Sequence, residues 1–213
     1  MPRAAKASAI TSTSRLTISL LTPSECSVVG PLTVPSGGVA AALTLPREAR
    51  DSRVFFVRCE LLGEDGTVIG ENVYWQSQRN DDVGDPNSNF SFEANQASWA
   101  DMTPLNTMAV TPLDVTAQRD TRSERGGDQD VLTIRLSNST KQIAFFERAE
   151  VTTTRDGDEI LPIQYSDNYV TVFPGETVEL NALVPRGGAA ADWVRVSGYN
   201  TPPTVVPIGN SPR

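Results

Sequence analysis

The 213-residue chain has a formal net charge of −8, with 18 Lys and Arg against 26 Asp and Glu, and it contains no histidine. An acidic balance excludes a surface built to track phosphates, so no nucleic-acid partner is expected. The lack of histidine removes Ser-His-Asp and Cys-His nucleophiles and His-based zinc sites together, and no run approaches the ~18 consecutive apolar residues of a membrane span.

The opening stretch, "MPRAAKASAITSTSR", holds Arg3, Lys6 and many small residues without an apolar h-region, and reads as a disordered leader over 1–15. From Leu16 the segments are of β type. "LTISLLT" alternates, "VAAALTLP" follows Gly37-Gly38, "RVFFVRCELL" is a long strand, and "VIGENVYWQS" returns from a hairpin loop at Asp65-Gly66. Residues 16–77 thus read as about five strands of a partial sandwich, with no convincing 3.6-residue period. Cys26 and Cys59 are too sparse for a disulfide framework. They either bridge or stand as two small apolar residues, and the second reading suits Cys59, which shares a strand face with Phe55, Val57 and Leu61.

Residues 78–107 lose the alternation. Between Arg79 and Asp101 the acids Asp81, Asp82, Asp85, Glu93 and Asp101 face Arg79 alone, a local net of −4. Phe90, Phe92, Trp99 and Met102 are too apolar for a floppy connector, so the segment reads as a packed linker. Over 108–209 strands resume. Leu132, Ile134 and Leu136 share one face, as do Val178, Leu180 and Ala182. In "SDNYVTVFPGETVEL", Pro174 and Gly175 supply the fixed and the positive φ of a type II turn between two strands. Short strands with turns at this spacing over about a hundred residues indicate an immunoglobulin-like sandwich, with 210–213 as a tail. The fold class expected is all-β: two immunoglobulin-like β-sandwich domains, the first truncated at its N-terminus.

Four stretches in order carry something more specific: "ENVYWQS", "SWADMTPLNTM", "LTIRLSNSTKQIAFFERAEV" and "DEILPIQYSDNYVTVFPGETVEL". They resemble the C-terminal region of glycoside hydrolase family 2 enzymes of the exo-β-D-glucosaminidase and β-mannosidase type. Asn72, Tyr74 and Trp75 match the strand that closes that group's first immunoglobulin-like domain, and Trp99 and Asp101 match its linker motif. Asn138, Ser139, Lys141, Ala144, Phe145 and Phe146 fit N-x-S-K-x-x-A-F-F with one extra residue, Thr140. Ser166, Asp167, Asn168, Tyr169, Pro174, Gly175 and Glu176 fit S-D-N-Y-x-x-L-x-P-G-E. The resemblance implies structural roles for these residues and a catalytic barrel, absent from this chain, as intramolecular partner; it is compatible with a secreted parent. A (β/α)₈ barrel takes ~250 residues and has no room here. Nothing before "RLTISLLT" resembles the family's opening strand, so an unpaired sheet edge is expected near that segment, with the aggregation hazard such an edge brings.

The residues themselves offer little catalysis, and no catalytic, cofactor-binding or metal residue is assigned. Glycoside hydrolysis needs two carboxyl groups, ~5–5.5 Å apart for retention, one of them kept protonated. Glu147 and Glu150 are three apart on a strand and fall on opposite faces. Asp156, Asp158 and Glu159 sit at a hairpin tip, where acids are ordinarily solvated. "NDDVGDPNSN" offers oxygen ligands for calcium but lacks EF-hand spacing, and reads equally as a solvated acidic loop. Tyr74, Trp75, Trp99, Tyr165, Tyr169, Trp193 and Tyr199 would stack on an oligosaccharide if several were exposed together; for Trp75 and Trp99 packing is the simpler expectation. Asn89 and Asn138 lie in sequons.

Overall fold

The computed structural model describes residues 10–20, 25–35, 37–41, 52–82, 84, 96–120 and 129–210. They form an all-β chain that divides into two compact units, Met1–Met108 and Ala109–Arg213. Among the described residues no helix is long and apolar enough to cross a membrane.

The first unit holds one antiparallel sheet among its described residues, built from β1 (Ile10–Leu20), β2 (Glu25–Val34), β3 (Val54–Leu62) and β4 (Val68–Ser77) in the order β2-β1-β3-β4. Two expectations change here. Strand β1 starts at Ile10, so 10–15 is not leader: "ITSTS" is poor in large apolar groups but rich in β-branched Ile and Thr, which favour extended backbone. The unpaired edge is not at "RLTISLL" either, because β1 is bonded on both sides, to β2 and to β3, and the outer strands are β2 and β4. A strand expected at "VAAALTLP" is not regular at 39–41, and the remainder lies outside the described residues. The β3–β4 hairpin turns at Gly66, whose φ of +82° needs no Cβ, while Asp65 accepts the Thr67 amide at 3.0 Å.

The register also disposes of a Cys26–Cys59 bridge. Cys26 pairs with Ile18 and Cys59 with Leu16, on opposite sides of β1. Two interstrand spacings and an offset of two residues along β1 put their Cα atoms about 12 Å apart, beyond the ~7 Å a disulfide spans. Cys59 is a free thiol of intermediate exposure, and burial pushes its pKa up. Alkylation of the unreduced, denatured protein is expected to add two labels by mass spectrometry; a cross-linked Cys26–Cys59 peptide would refute this register.

The second unit contains β5 (Asp114–Asp120), β6 (Gln129–Ser137), β7 (Ala144–Thr152), β8 (Gln164–Tyr165), β9 (Val170–Val172), β10 (Thr177–Pro185), β11 (Trp193–Ser197) and β12 (Thr204–Asn210). They are hydrogen-bonded in the order β8-β10-β6-β5-β12-β11-β7-β9, antiparallel except for the parallel β5–β12 pair. The ribbon folds at that pair into two layers. Leu132, Ile134 and Leu136 of β6 and Leu180, Ala182 and Val184 of β10 meet Ala149 and Val151 of β7 and Val194 and Val196 of β11 in one core. Period-two burial along β6 and β10 explains why the alternation is readable in sequence.

Candidate functional site

Most of the motif residues of the second unit lie around the passage from β9 to β10 and along β7. Pro174-Gly175 does make a type II turn, with Gly175 at φ +75° and the Glu176 amide on the Phe173 carbonyl at 3.2 Å. It is not a hairpin, however. Strand β9 before it pairs with β7 and strand β10 after it pairs with β6 and β8, so the turn carries the chain from one layer to the other. Asn138, at the end of β6, fixes that crossing. Its amide donates to the Glu176 carbonyl at 2.9 Å and its carbonyl accepts the Gly175 amide at 2.8 Å. Its side chain, 1% exposed, donates to the carbonyls of Gln142 at 2.7 Å and Val172 at 2.9 Å and accepts from the Thr140 amide and hydroxyl. A glycan at this Asn138 sequon is therefore incompatible with the folded unit; the sequon at Asn89 lies outside the described residues.

Asn168 acts as a substitute strand. Before Val170 the chain is not laddered to β7, and it turns through Tyr169 at φ +59°. The Asn168 side chain then takes up the ladder: it accepts the Ala149 amide at 2.8 Å and donates to the Ala149 carbonyl at 3.0 Å. Asp167 accepts the Asn168 amide, and Ser166 pairs with Asn181 through both its amide and its hydroxyl, prolonging β8–β10. Asn168→Ala should cost about 1–2 kcal/mol, two neutral hydrogen bonds at a half-buried site. The expected signature is faster amide exchange at Ala149 with the β6–β10 ladder unchanged.

Opposite Tyr169, β7 bulges. Ala144 pairs with Val172 and Glu147 with Val170, so β7 carries one extra residue, and Phe146 takes φ +62°. The bulge keeps Ala144 and Glu147 both inside and turns Phe146 out, where its ring meets Tyr169 at 5.0 Å. Phe145 touches Phe146 at 5.6 Å and Tyr199 at 5.7 Å, giving a ladder of four rings tilted by 43–58°. Trp193 is half-buried and Tyr165 turns inward, its hydroxyl on the Val151 amide at 3.2 Å and its pKa raised by burial to about 12.

Glu147 and Glu150 do face opposite ways. Glu150 lies on the outer face, held by Arg195 at 3.0 Å and Arg148 at 3.3 Å, and the hydrogen bond from Arg195 lowers its pKa. Glu147 is fully buried, accepts one hydrogen bond from the Thr201 hydroxyl at 2.6 Å, and has its pKa raised by burial to about 7. Glu159 pairs with Arg148 at 2.6 Å, while Asp156 and Asp158 are exposed. Sequence reasoning passed over Asn200. Its side chain accepts the Phe145 amide and donates toward Ala109, Thr111 and Ile143.

In the first unit Asn72 donates to the Tyr74 hydroxyl at 2.8 Å on an exposed face of β4. Trp75 and Trp99 are 38% and 68% exposed, so neither is a core residue of this chain. Asp101, two residues before a short 3-10 turn (Thr103–Thr107), accepts the Thr103 amide and hydroxyl, which lowers its pKa, and it lies 3.4 Å from Arg53. Of the candidate calcium ligands, Asp81 accepts the Ala100 amide and Asp82 the Gly84 amide; Asp85 and Asn89 lie outside the described residues. No group of three metal-ligating side chains occurs among the described residues. Glu60 and Glu71 stand opposite each other across β3–β4, bridged by Arg58 at 3.8 and 2.7 Å.

The family described as the exo-β-D-glucosaminidase Ig-fold domain matches residues 91–201, just over half of the chain. The chain is 31% identical over 174 residues to an exo-β-D-glucosaminidase of Streptomyces avermitilis, covering 80% of itself and 19% of that relative. To one of Arthroderma benhamiae it is 33% identical over 149 residues, covering 69% of itself and 16% of the relative. The crystal structure of the exo-chitosanase CsxA of Amycolatopsis orientalis superposes with a TM-score of 0.81 at 26% identity, over 94% of this chain and 24% of that one. The chain thus spans about a fifth of the length of the curated relatives it matches, and the part it matches holds their Ig-fold domain. The chain belongs to the exo-β-D-glucosaminidase Ig-fold domain family.

Proposed function

We propose that these 213 residues are the non-catalytic accessory part of a longer family 2 glycoside hydrolase cleaving β-glucosaminides, and that they buttress a catalytic barrel lying outside them. The observation that carries this reading is the match of an Ig-fold domain inside relatives about five times longer. The side chains agree with it. In the second unit the motif residues Asn138, Ser166, Asp167 and Asn168 close backbone groups, and Phe145, Phe146 and Tyr169 make ring contacts. Trp99, 68% exposed on this chain, suits a surface that another domain covers. The test is native size: an antibody against residues 109–210 is expected to detect a band several times heavier than 23 kDa, and the 213-residue chain alone should not turn over an aryl β-D-glucosaminide. A single 23 kDa band, or turnover by the short chain, would overturn it.

A second reading, oligosaccharide binding, is favoured by one observation: Phe146, Tyr169 and Tyr199 of the ring ladder are each 40–50% exposed. Their mutual tilt offers a sugar one ring at a time rather than a flat platform. Glucosamine oligosaccharides should then bind no more tightly than about 1 mM, some 4 kcal/mol, and Tyr169→Ala should abolish what binding calorimetry detects.

A further inference from the structure

The buried carboxyl of Glu147 has no role in the reading above, yet it sits where several strands meet. It points into the sandwich from the bulge of β7, in line with Ala149 and Val151. One oxygen accepts from Thr201, and Oε2 has no partner among the described residues. The turn between β11 and β12 lies directly on it: a Cβ at Gly198 would overlap the carboxyl group. That turn is also a junction. The Tyr199 amide donates to the Phe145 carbonyl at 2.8 Å, and the Thr111 amide donates to the Asn200 carbonyl at 2.9 Å. Through its side chain Asn200 reaches Ala109, Thr111, Ile143 and Phe145. The start of the unit, the β6–β7 connection and the bulge are thus all tied to residues 198–201.

No neighbouring charge is placed to stabilise a carboxylate there. Arg148 and Glu150 of β7 and Arg195 of β11 belong to the outer face, where they pair with one another and with Glu159. Strand β9, residues 198–203, residues 109–113 and β12 contain no charged side chain, and the facing core is apolar. Tyr199 is the one other titratable group in the turn, and its ring lies on Phe145. A neutral carboxyl is tolerated in such a place with one hydrogen bond; an ionised one is not, because several kcal/mol of hydration are lost with nothing to replace them.

We propose that Glu147 and the 198–201 turn form a proton-held latch: the neutral carboxyl closes the turn onto the sandwich, and its ionisation opens the turn locally so that the carboxylate reaches water. Opening frees the Tyr199 and Thr111 amides and loosens the Tyr199–Phe145 ring contact while the β6–β10 ladder stays paired. The device depends on Gly198, since only a residue without Cβ lets the turn rest on the carboxyl.

The test is amide hydrogen exchange on the full chain, expressed as protection factors so that the intrinsic pH dependence cancels. Tyr199 and Thr111 are expected to lose roughly 30-fold in protection from pH 5.5 to 8, the linkage ratio for a carboxyl titrating near 7 closed and near 4.5 open. At pH 8 they should exchange well ahead of Leu180 and Ala182 and with little dependence on denaturant. Glu147→Gln should remove the pH dependence. Protection that is flat with pH in the wild type overturns the proposal, and so does protection of Tyr199 and Thr111 equal to that of Leu180 at every pH, which would mean only global unfolding exposes Glu147. Should Glu147→Gln not fold, the wild-type Glu147 Cδ resonance supplies the attribution: a midpoint near 7 together with the loss of protection at Tyr199 and Thr111 supports the latch, and one near 4.5 overturns it.

Discussion

Asn138→Ala is expected to cost the second unit about 3 kcal/mol. The Val172 carbonyl, on a residue with no exposure, loses its side-chain donor, and the Thr140 amide and hydroxyl lose the side-chain oxygen that accepts from them. Each buried polar group left unsatisfied costs ~1–3 kcal/mol, and the Gln142 carbonyl is partly spared because Thr140 also reaches it at 3.3 Å. Asn138→Asp separates the two halves of the site. It retains the acceptors for Thr140 but sets a carboxylate against two carbonyl oxygens, so at neutral pH it should be at least as harmful as alanine. Urea unfolding in a Trp75→Phe, Trp99→Phe background leaves Trp193 of β11 as the reporter for this unit. A midpoint lower by roughly 1–3 M is expected for Asn138→Ala. A change below about 0.5 kcal/mol, the range of ordinary surface substitutions, would show that Asn138 is not the knot between the layers.

Asn138 also marks where sequence reading stops. Its position in the motif was visible, as was the Pro174-Gly175 turn, because both rest on local chemistry. Its partners at Val172 and Glu176 were not, since they lie 34 and 38 residues away and in the opposite layer or at the crossing. The same string N-S-T reads as a glycan acceptor in one context and a buried clamp in the other. Period-two patterning gave the inner faces of β6 and β10, where burial is regular. It fails in β7, because one inserted residue at Phe146 exchanges inside for outside, and a glutamate on a strand is otherwise expected to face water. The start of the first strand, Ile10 to Arg15, was missed for the opposite reason: Ser and Thr resemble a linker in hydropathy while favouring extended backbone. Asn200 is singled out by no pattern in the sequence, and its contacts at Phe145, Ile143 and Ala109 are 55, 57 and 91 residues distant.

The buried Glu147 makes the second large effect one of pH. Its folded pKa of about 7 lies above the ordinary 4.5, because burial penalises the charged form more than Thr201 helps it. Between those values the folded unit holds a proton that the unfolded chain has released, so the unfolding free energy must fall as pH rises. The contribution is complete below about pH 4.5, declines through the window and is gone above about 7. At 1.36 kcal/mol per unit the decline amounts to about 3 kcal/mol. Glu150 works in the other direction and in another window: Arg195 depresses its pKa, so its stabilisation is present above about 4.5 and is lost as pH falls further. The two together predict maximum stability of this unit near pH 4.5–5, well below neutrality. Glu147→Gln, which mimics the neutral acid in shape and in its acceptor for Thr201, is expected to leave stability at pH 4.5 within about 1 kcal/mol of wild type and to raise it by about 2–3 kcal/mol at pH 7.5. Urea midpoints read from Trp193 at four or five pH values measure both. If wild type and Glu147→Gln keep parallel profiles from pH 4.5 to 7.5, the carboxyl already reaches water in the folded unit, and its burial under Gly198 is not the source of any pH dependence.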